Sequence, residues 1–363
     1  MSDEAYMRRA LALAARARGR TSPNPAVGAV VVRGGRIVGE GYHRRAGEPH
    51  AEVIALRNAA TLARGATLYV TLEPCCHLDK RTPPCTDAIL SSGANRVVIA
   101  TEDPNPNVSG RGIARLREHH IETTVGVLRD RAKRVNEAYA RWIRTGRPFV
   151  TLKIASTLDG KIATSSGESR WISGARARDY THRLRDRVDA VLVGLGTVLA
   201  DDPELTARGG RGRRTPHRVI VDERLATPPT ARALKPRRGS AVIIATTSRA
   251  SAVRRRRLEQ RGVRVLTTRS RDGMVDLRDL MRRLGAMDIT SVLIEGGAEV
   301  NASALRSGVV QKVVVMLAPK LLGGRDAISA IGGRSPKRLT DALMLRETLI
   351  RRLGEDVIVE GYL

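Results

Sequence analysis

The stretch "GEPHAEVIALRNAA", residues 47–60, runs from a polar segment into an apolar helix, and His50 and Glu52 lie at the junction. In an α-helix, residues two positions apart point about 200° from each other, so these side chains cannot be two ligands on one stripe. They can still flank one site from the first helical turn. Because His-x-Glu is common by chance, the pair indicates a function only with partners elsewhere in the chain.

Those partners lie in "LEPCCHLDKRTPPC", residues 72–85, which contains all three cysteines of the chain. A disulfide framework would spread its cysteines, whereas a tight cluster indicates metal binding or catalysis. One histidine and two thiolates are three ligands for a tetrahedral Zn²⁺ whose fourth position binds water, as in catalytic zinc sites. We therefore predict that His50, Cys75 and Cys85 bind zinc, and that Glu52 moves the protons of the water.

The spacing is close to a known pattern but differs in one respect. His-x-Glu followed by Pro-Cys-x-x-Cys is typical of zinc deaminases, but here nine residues separate Cys75 from Cys85. Cys76 directly follows Cys75, so one zinc is not expected to bind both. Cys76 in place of Cys75 is the alternative ligand. His77 is expected to contact the substrate or to shape the loop.

The remainder of the sequence predicts two α/β domains, residues 1–145 and 146–363. Strands alternate with helices of 10–15 residues, which is typical of a parallel or mixed sheet with covered faces. In the first half we expect helices at 3–18, 50–60 and 85–93, and strands at 26–32, 35–42, 66–72 and 96–103. In the second half we expect helices at 175–187, 251–261, 276–284 and 298–306. Strands are expected there at 150–155, 189–194, 217–222, 241–246, 263–267, 291–295, 312–317 and 356–361.

Composition limits the class of protein. The chain is 42% apolar, 28% charged and only 2% aromatic, so the predicted cores are aliphatic. No apolar run approaches the roughly 20 residues that span a bilayer, and no apolar signal core begins the chain, so we expect no membrane and a cytoplasmic enzyme. The net charge of +27 favours polyanions. Few aromatic side chains are present to stack on bases, so we interpret the charge as a solvated arginine-rich surface and expect no nucleic acid partner.

Longer motifs in both halves give the sequence a family resemblance. In the first half they are "TSPNPAVGAVVV", "HAEVIAL", "LEPCCH" with "RTPPC", and "DPNPNVSGRG". In the second half they are "LKIASTLDGKIA", "SRWISG", "HRLRDRVDAVLVGLGTVLADDPELTAR" and "LIEGGAEVNASAL". With these motifs the chain resembles the bifunctional deaminase–reductases of riboflavin biosynthesis over nearly its whole length.

The resemblance implies a cytidine-deaminase-like α/β/α domain followed by a dihydrofolate-reductase-like α/β domain. The first would use Zn²⁺-activated hydroxide to deaminate 2,5-diamino-6-ribosylamino-4(3H)-pyrimidinone 5′-phosphate. The second would use NADPH to reduce the ribosyl side chain to ribityl. Phosphorylated pyrimidines are then the partners, and we expect a homo-oligomer. Asn24, in a Pro-Asn-Pro turn, offers an amide donor and an acceptor to the pyrimidine edge, with a plain turn residue as the alternative. Second candidates around the same site are His43, Asp103, Asn105 and Asn107.

The resemblance also implies the contacts of the reductase domain. The cofactor is expected to touch Ala155, Trp171, Thr197, Asp201, Gly297, Ala298, Glu299, Val300, Asn301, Ala302 and Ser303. The substrate is expected to meet Ser169, Arg185, Leu205, Arg208 and Glu295.

The residues of this second site support specific roles. Arg185 and Arg208 can hold a sugar phosphate in bidentate fashion. Glu295 can bind ribose hydroxyls or assist proton transfer. The Gly-Gly turn before Ala298 can direct backbone N–H groups at a phosphate, or it can be a tight structural turn. In addition, Thr246, Thr247 and Arg249 are placed to meet a 2′-phosphate, which would favour NADPH.

Overall fold

The computed structural model describes residues 2–77, 83–208 and 215–363. The chain divides into two compact units, Met1–Arg147 and Pro148–Leu363. This division falls two residues after the boundary that the sequence suggests. Gly146, with φ of 64°, ends the last helix of the first unit in the left-handed conformation, and Pro148 follows at the start of a new strand. A left-handed glycine and a proline are both poor continuations of a helix, which explains the break.

The first unit is a five-stranded mixed sheet covered by helices. Its helices are α1 Asp3–Ala17, α2 Ala51–Ala59, α3 Cys85–Ser92, α4 Arg111–Glu118, α5 Arg129–Val135 and α6 Glu137–Thr145. Its strands are β1 Gly28–Arg33, β2 Arg36–Tyr42, β3 Thr67–Val70, β4 Arg96–Ile99 and β5 Glu122–Val125. The strand order is β2-β1-β3-β4-β5, with β1 antiparallel to β2 and β3 and the last three strands parallel. The core is aliphatic, as the composition predicts.

Glycines in β1 and β2 allow two helices to lie directly on the sheet. A Cβ atom on Gly28 would lie 2.1 Å from the Ala10 carbonyl oxygen of α1. A Cβ atom on Gly41 would lie 2.4 Å from the Ala51 carbonyl oxygen of α2. No real side chain tolerates such distances, so the glycines determine how close the helices come. The beginning of α2, which carries His50 and Glu52, is thereby fixed against β2.

The second unit contains a nine-stranded sheet. Its helices are α7 Ala175–Asp186, α8 Leu195–Asp201, α9 Ala252–Glu259, α10 Leu277–Gly285 and α11 Ala298–Arg306. Its strands are β6 Phe149–Thr157, β7 Lys161–Ala163, β8 Ala190–Gly194, β9 His217–Val221, β10 Val242–Thr246, β11 Val263–Thr267, β12 Ser270–Arg271, β13 Met274–Val275, β14 Ser291–Ile294, β15 Lys312–Ala318, β16 Ile328–Ser329, β17 Arg346–Leu353 and β18 Asp356–Tyr362. The sheet order is β11-β10-β9-β8-β14-β6-β15-β18-β17. The first seven strands in this order, from β11 through β15, are parallel to one another. At the other edge, β18 pairs antiparallel with β15, and β17 pairs antiparallel with β18.

The structure confirms the predicted strands and helices to within a few residues and adds elements that the sequence does not predict. The glycine-rich segment after β8 is the short helix α8, and the exposed, charged strand β17 pairs with β18 at the sheet edge. A small ribbon of β7 and β16 lies outside the main sheet.

None of the helices in the described parts of the chain combines the length and the apolar character that crossing a membrane requires.

Candidate active sites

Three potential metal ligands converge in the first unit. His50, Cys75 and Cys85 present ligand atoms that all lie within 4.8 Å of one another. His50 Nδ1 lies 3.1 Å from Cys85 Sγ and 3.5 Å from Cys75 Sγ. His50 immediately precedes α2, Cys75 follows β3, and Cys85 begins α3. The structure thus brings together the three residues that the sequence singles out.

These donors fit zinc. Around a tetrahedral Zn²⁺ with Zn–N of about 2.0 Å and Zn–S of about 2.3 Å, neighbouring donor atoms are about 3.5–3.8 Å apart, close to the distances found here. Cys75 and Cys85 are buried, and the amide N–H of Cys85 points at Cys75 Sγ at 3.4 Å, an orientation that favours a thiolate. Cys76 is half-buried and does not belong to the described cluster.

Glu52 adds a carboxylate to this cluster. It lies in the first turn of α2, is 3% exposed, and its buried Oε2 has no hydrogen-bond partner among the described residues. Burial raises the pKa of Glu52, while the neighbouring His50 acts in the opposite direction. A buried carboxylate oxygen without a partner is costly. Such an atom next to three metal donors fits a role toward a water that the metal would hold.

Asn24 and His43 form a pair at the edge of the same site. His43 is buried, its Nδ1 lies 3.2 Å from the Pro49 carbonyl oxygen, and its Nε2 lies 3.1 Å from Asn24 Nδ2. A carbonyl oxygen only accepts, so Nδ1 carries the proton and Nε2 accepts from the Asn24 amide. Burial lowers the pKa of His43, in keeping with a neutral ring. The His43 ring makes an edge-on contact with the His50 ring, and the two ring centroids are 5.1 Å apart.

The sequence indicated Asp103 and Asn105 only as second candidates, and it did not indicate Tyr139, which binds Asp103. Asp103 is buried, and its Oδ1 accepts hydrogen bonds from Tyr139 Oη at 3.1 Å and from the Asn105 amide N–H at 2.8 Å. Burial raises the pKa of Asp103 to about 6. Tyr139 lies in α6, far along the chain, so no local motif predicts the contact. Asn107 is exposed, and its amide N–H donates to Asn105 Oδ1.

A cavity of about 650 Å³ lies in the second unit, between α8, α11 and the β7–β16 ribbon. Eight of the predicted contacts line it, namely Ser169, Thr197, Asp201, Gly297, Ala298, Glu299, Val300 and Ser303. Ser169 Oγ donates to Asp201 Oδ1 at 2.8 Å, and the Gly297 amide donates to Thr197 Oγ1 at 3.0 Å. The cavity size and the helix N-terminus at its wall fit a dinucleotide cofactor.

Two residues of the predicted cofactor turn lie on the other face of α11. Asn301 and Ala302 are 2% and 3% exposed and do not line the cavity. At 3.6 residues per turn, Glu299, Val300 and Ser303 share one face, while the two intervening positions turn into the protein. Asn301 Nδ2 instead donates to the Ala330 carbonyl oxygen at 2.8 Å, just after β16.

The predicted substrate residues Arg185 and Glu295 bind each other. Arg185 Nε and Nη2 donate to the two Glu295 carboxylate oxygens at 2.5 and 2.9 Å, and Nη1 donates to the Thr206 carbonyl oxygen. The bidentate edge of Arg185 that we expected to hold a phosphate is therefore occupied by Glu295. Burial opposes ionisation of Glu295, but Arg185 and Lys153 offset it, and the pKa of Glu295 lies below its ordinary value.

The remaining predicted contacts lie outside the lining of the cavity. Arg208 Nη2 donates to Glu204 at 3.2 Å on the surface, and Leu205 is 2% exposed. Ala155 is half-buried in β6. Trp171 is 62% exposed, with the Arg178 guanidinium 4.7 Å from its ring centroid.

Thr246 and Thr247, which we expected to meet a 2′-phosphate of the cofactor, bind a backbone carbonyl oxygen instead. Both are 1% exposed, and both hydroxyls donate to the Glu223 carbonyl oxygen, at 2.9 and 3.1 Å. Their side chains therefore hold the turn after β9 and are not directed into the cavity. Glu223, which the sequence did not suggest, lines the cavity instead.

Both sites together define a class of protein: a zinc-dependent pyrimidine deaminase joined to a reductase with a dinucleotide cavity. Residues 1–101 match the family described as the cytidine and deoxycytidylate deaminase zinc-binding region, and residues 148–359 match the RibD C-terminal domain. The chain is 44% identical to the riboflavin biosynthesis protein RibD of Aquifex aeolicus, over 98% of this chain and 97% of the relative.

Solved structures give the same result. RibD of Acinetobacter baumannii superposes with a TM-score of 0.89 at 36% identity, covering 99% of this chain and 98% of the other. The diaminohydroxyphosphoribosylaminopyrimidine deaminase/5-amino-6-(5-phosphoribosylamino)uracil reductase of Thermotoga maritima superposes at 0.87 with 38% identity, covering 99% and 98%. The chain belongs to the RibD family. It is a bifunctional pyrimidine deaminase and reductase of riboflavin biosynthesis that uses zinc and NADPH.

Proposed function

We propose that the unit Met1–Arg147 performs the deamination and the unit Pro148–Leu363 the reduction. The first would remove one exocyclic amine of 2,5-diamino-6-ribosylamino-4(3H)-pyrimidinone 5′-phosphate as ammonia. The second would reduce the ribosyl group of the deaminated product to ribityl. One observation carries the proposal for the first unit. Oε2 of Glu52, which is buried and has no hydrogen-bond partner within residues 2–77, 83–208 and 215–363, lies beside the converging donors His50, Cys75 and Cys85.

In this mechanism His50, Cys75 and Cys85 would hold the zinc. When bound, zinc acidifies a water and so supplies the nucleophile for hydrolysis at the ring carbon that bears the amine. Glu52 Oε2 takes a proton from the water and returns it to the departing amine. Burial raises the pKa of Glu52, which brings it closer to the pH at which it must both accept and release that proton.

Asn24 and His43 orient the pyrimidine. His43 uses one N–H of the Asn24 side-chain amide, so we assign the Asn24 carbonyl oxygen, together with the second N–H, to the polar edge of the pyrimidine. Asp103, held by Tyr139, is assigned to the same pocket.

In the second unit, NADPH supplies the hydride. The cavity between α8 and α11 would hold it, with the first turn of α11 toward its phosphates. Arg185 keeps Glu295 ionised, and an ionised carboxylate accepts hydrogen bonds but has no proton to donate. Of the two roles considered for Glu295, we therefore assign it to bind ribose hydroxyls. Arg208, on the surface beside Glu204, is assigned to the sugar phosphate.

Glu52→Gln tests the deaminase assignment. The variant should release ammonia from the diaminopyrimidine about 10²- to 10⁴-fold more slowly, because an amide neither accepts nor returns the proton. Zinc content and NADPH oxidation with the deaminated intermediate should stay at the wild-type level. Glu48→Gln, a partly exposed neighbour paired with Arg45, is the matched control. Undiminished ammonia release by Glu52→Gln would contradict the assignment.

We also propose a cytoplasmic homo-oligomer that does not act on nucleic acid. The +27 charge and the scarcity of aromatic residues support a charged surface without base stacking. Binding to polyanions should then fall steeply with salt and show no preference for base sequence, as measured by retention on heparin and on DNA columns. Tight binding to one DNA or RNA sequence at physiological salt would refute this part of the proposal.

A further inference from the structure

Glu73 is a buried carboxylate for which the two proposed reactions have no use. It lies between β3 and the metal ligand Cys75 and is 2% exposed. Its two oxygens accept four backbone N–H groups of one segment, residues 103–113. Oε2 accepts from Asp103 at 3.1 Å and Gly110 at 2.9 Å, and Oε1 accepts from Gly112 at 2.9 Å and Ile113 at 3.2 Å.

The same segment touches the metal-ligand loop a second time. A Cβ atom on Gly112 would lie 2.1 Å from the Pro74 carbonyl oxygen, so only glycine lets the first turn of α4 come this close. Both contacts join residues 103–113 to the two residues that precede Cys75. The segment is therefore fixed relative to the metal site and not only relative to the sheet.

The segment carries two of the polar residues that are candidates for contact with the pyrimidine. Asp103 and Asn105 lie at its beginning, and the Asp103 amide is one of the four groups that Glu73 binds. We propose that Glu73 is a positioning residue of the deaminase, which sets where Asp103 and Asn105 meet the pyrimidine relative to the metal. This inference rests on the proposed function of the first unit.

A carboxylate is required for this arrangement, because each of its oxygens accepts two N–H groups. In Glu73→Gln one oxygen becomes an NH₂ group, which faces two N–H donors and can bind neither. One pair of bonds is lost, on the Asp103–Gly110 side or on the Gly112–Ile113 side. Glu73→Asp retains the charge but is one methylene shorter, so it should hold the segment only in part.

The test uses the full-length zinc protein and steady-state ammonia release. In Glu73→Gln the KM for the diaminopyrimidine should rise about tenfold or more, with a smaller change in kcat, and Glu73→Asp should lie between this variant and the wild type. Zinc should remain at the wild-type stoichiometry, and reductase kinetics should not change. The matched control is Glu102→Gln, an exposed acid next to Asp103, which should behave as wild type. Wild-type activity in the same assay tests the proposed function separately.

Three results would overturn the proposal. The first is an unchanged KM in Glu73→Gln. The second is a fall in kcat alone, which would place Glu73 in the chemical step. The third is loss of zinc from both Glu73→Gln and Glu73→Asp, which would mean that Glu73 holds the metal-ligand loop itself. If only Glu73→Gln loses zinc, a raised KM in zinc-loaded Glu73→Asp supports the proposal, and a wild-type KM overturns it.

Discussion

At the scale of single residues, the deaminase pocket contains acidic groups whose surroundings differ sharply. Glu73 accepts four backbone N–H groups, whereas Glu52 Oε2 has no partner among the described residues. Asp103 is intermediate, with one hydroxyl and one amide donor in a buried setting. A carboxylate surrounded by N–H donors is a structural anchor, and one without donors is free to exchange a proton.

The raised pKa of Asp103 predicts a pH-dependent stability. Burial raises this pKa from 3.8 to about 6, against the hydrogen bonds from Asn105 and Tyr139 and with a contribution from the charge of Glu73. The folded form binds the proton more tightly than the unfolded form, so the stabilisation is complete below pH 3.8 and is lost as the pH rises through 6. Between pH 5 and 8 this group should remove about 1–1.5 kcal/mol from the free energy of unfolding.

Asp103→Asn should abolish that part of the pH dependence, because the amide is neutral at every pH. Urea unfolding of the zinc-loaded protein at pH 5 and pH 8 gives the comparison, with Glu102→Gln as the control variant. A wild-type difference between the two pH values in Asp103→Asn would refute the assignment.

At the scale of elements, helix α11 has two functions on two faces. One face lines the cofactor cavity, and the other holds the ribbon of β7 and β16 through Asn301 and the Ala330 carbonyl oxygen. The Gly332 amide also donates to the Ala298 carbonyl oxygen at 3.0 Å. Because Ile328 of this ribbon lines the same cavity, the helix contributes to the cavity directly and also through the ribbon that it holds.

Asn301→Ala should therefore weaken cofactor binding without touching the cofactor. Loss of one buried hydrogen bond should lower the free energy of unfolding by about 1 kcal/mol. The KM for NADPH should rise several-fold, with a smaller change in kcat, as measured by NADPH oxidation. Ammonia release by the first unit provides the internal control. An unchanged KM for NADPH would show that the ribbon does not depend on this contact.

Regular elements were predictable because their patterns are local, while several site contacts were not. The apolar runs of β8 and β14 and the periodicity of α10 identify those elements directly. Helix α8 was missed because its glycines look like the end of a strand, and β17 because its charged residues show no alternation. His50, Glu52 and the cysteines carry a recognisable spacing. The partners of Glu73 are backbone N–H groups, which have no sequence signature, and Tyr139 meets Asp103 across 36 positions.

At the scale of the whole molecule, the chain consists of two compact units, each with its own sheet and its own hydrophobic core. The candidate zinc ligands all belong to the first unit, and the cavity is lined only by residues of the second. Each unit thus contains the groups that we assign to the reaction proposed for it.

Removal of zinc should therefore separate the two activities. A strong chelator should abolish ammonia release, and NADPH oxidation with the already deaminated intermediate should continue at the wild-type rate. Thermal unfolding should also show a lower midpoint for the first unit only, since binding to the native state stabilises it. Loss of both activities on chelation would show that the second reaction also depends on the metal.

The convergence of Cys75 and Cys85 has a further consequence for the apoprotein. Their sulfur atoms lie within 4.8 Å of each other, so these are the two thiols that oxidation of the apoprotein would be expected to join in an S–S bond. Zinc bound by both sulfurs would protect them from oxidation, whereas a metal-free pair would be open to air and peroxide. Loss of the metal in an oxidising medium therefore converts a reversible inactivation into one that zinc alone cannot reverse, because a thiol reductant must act first.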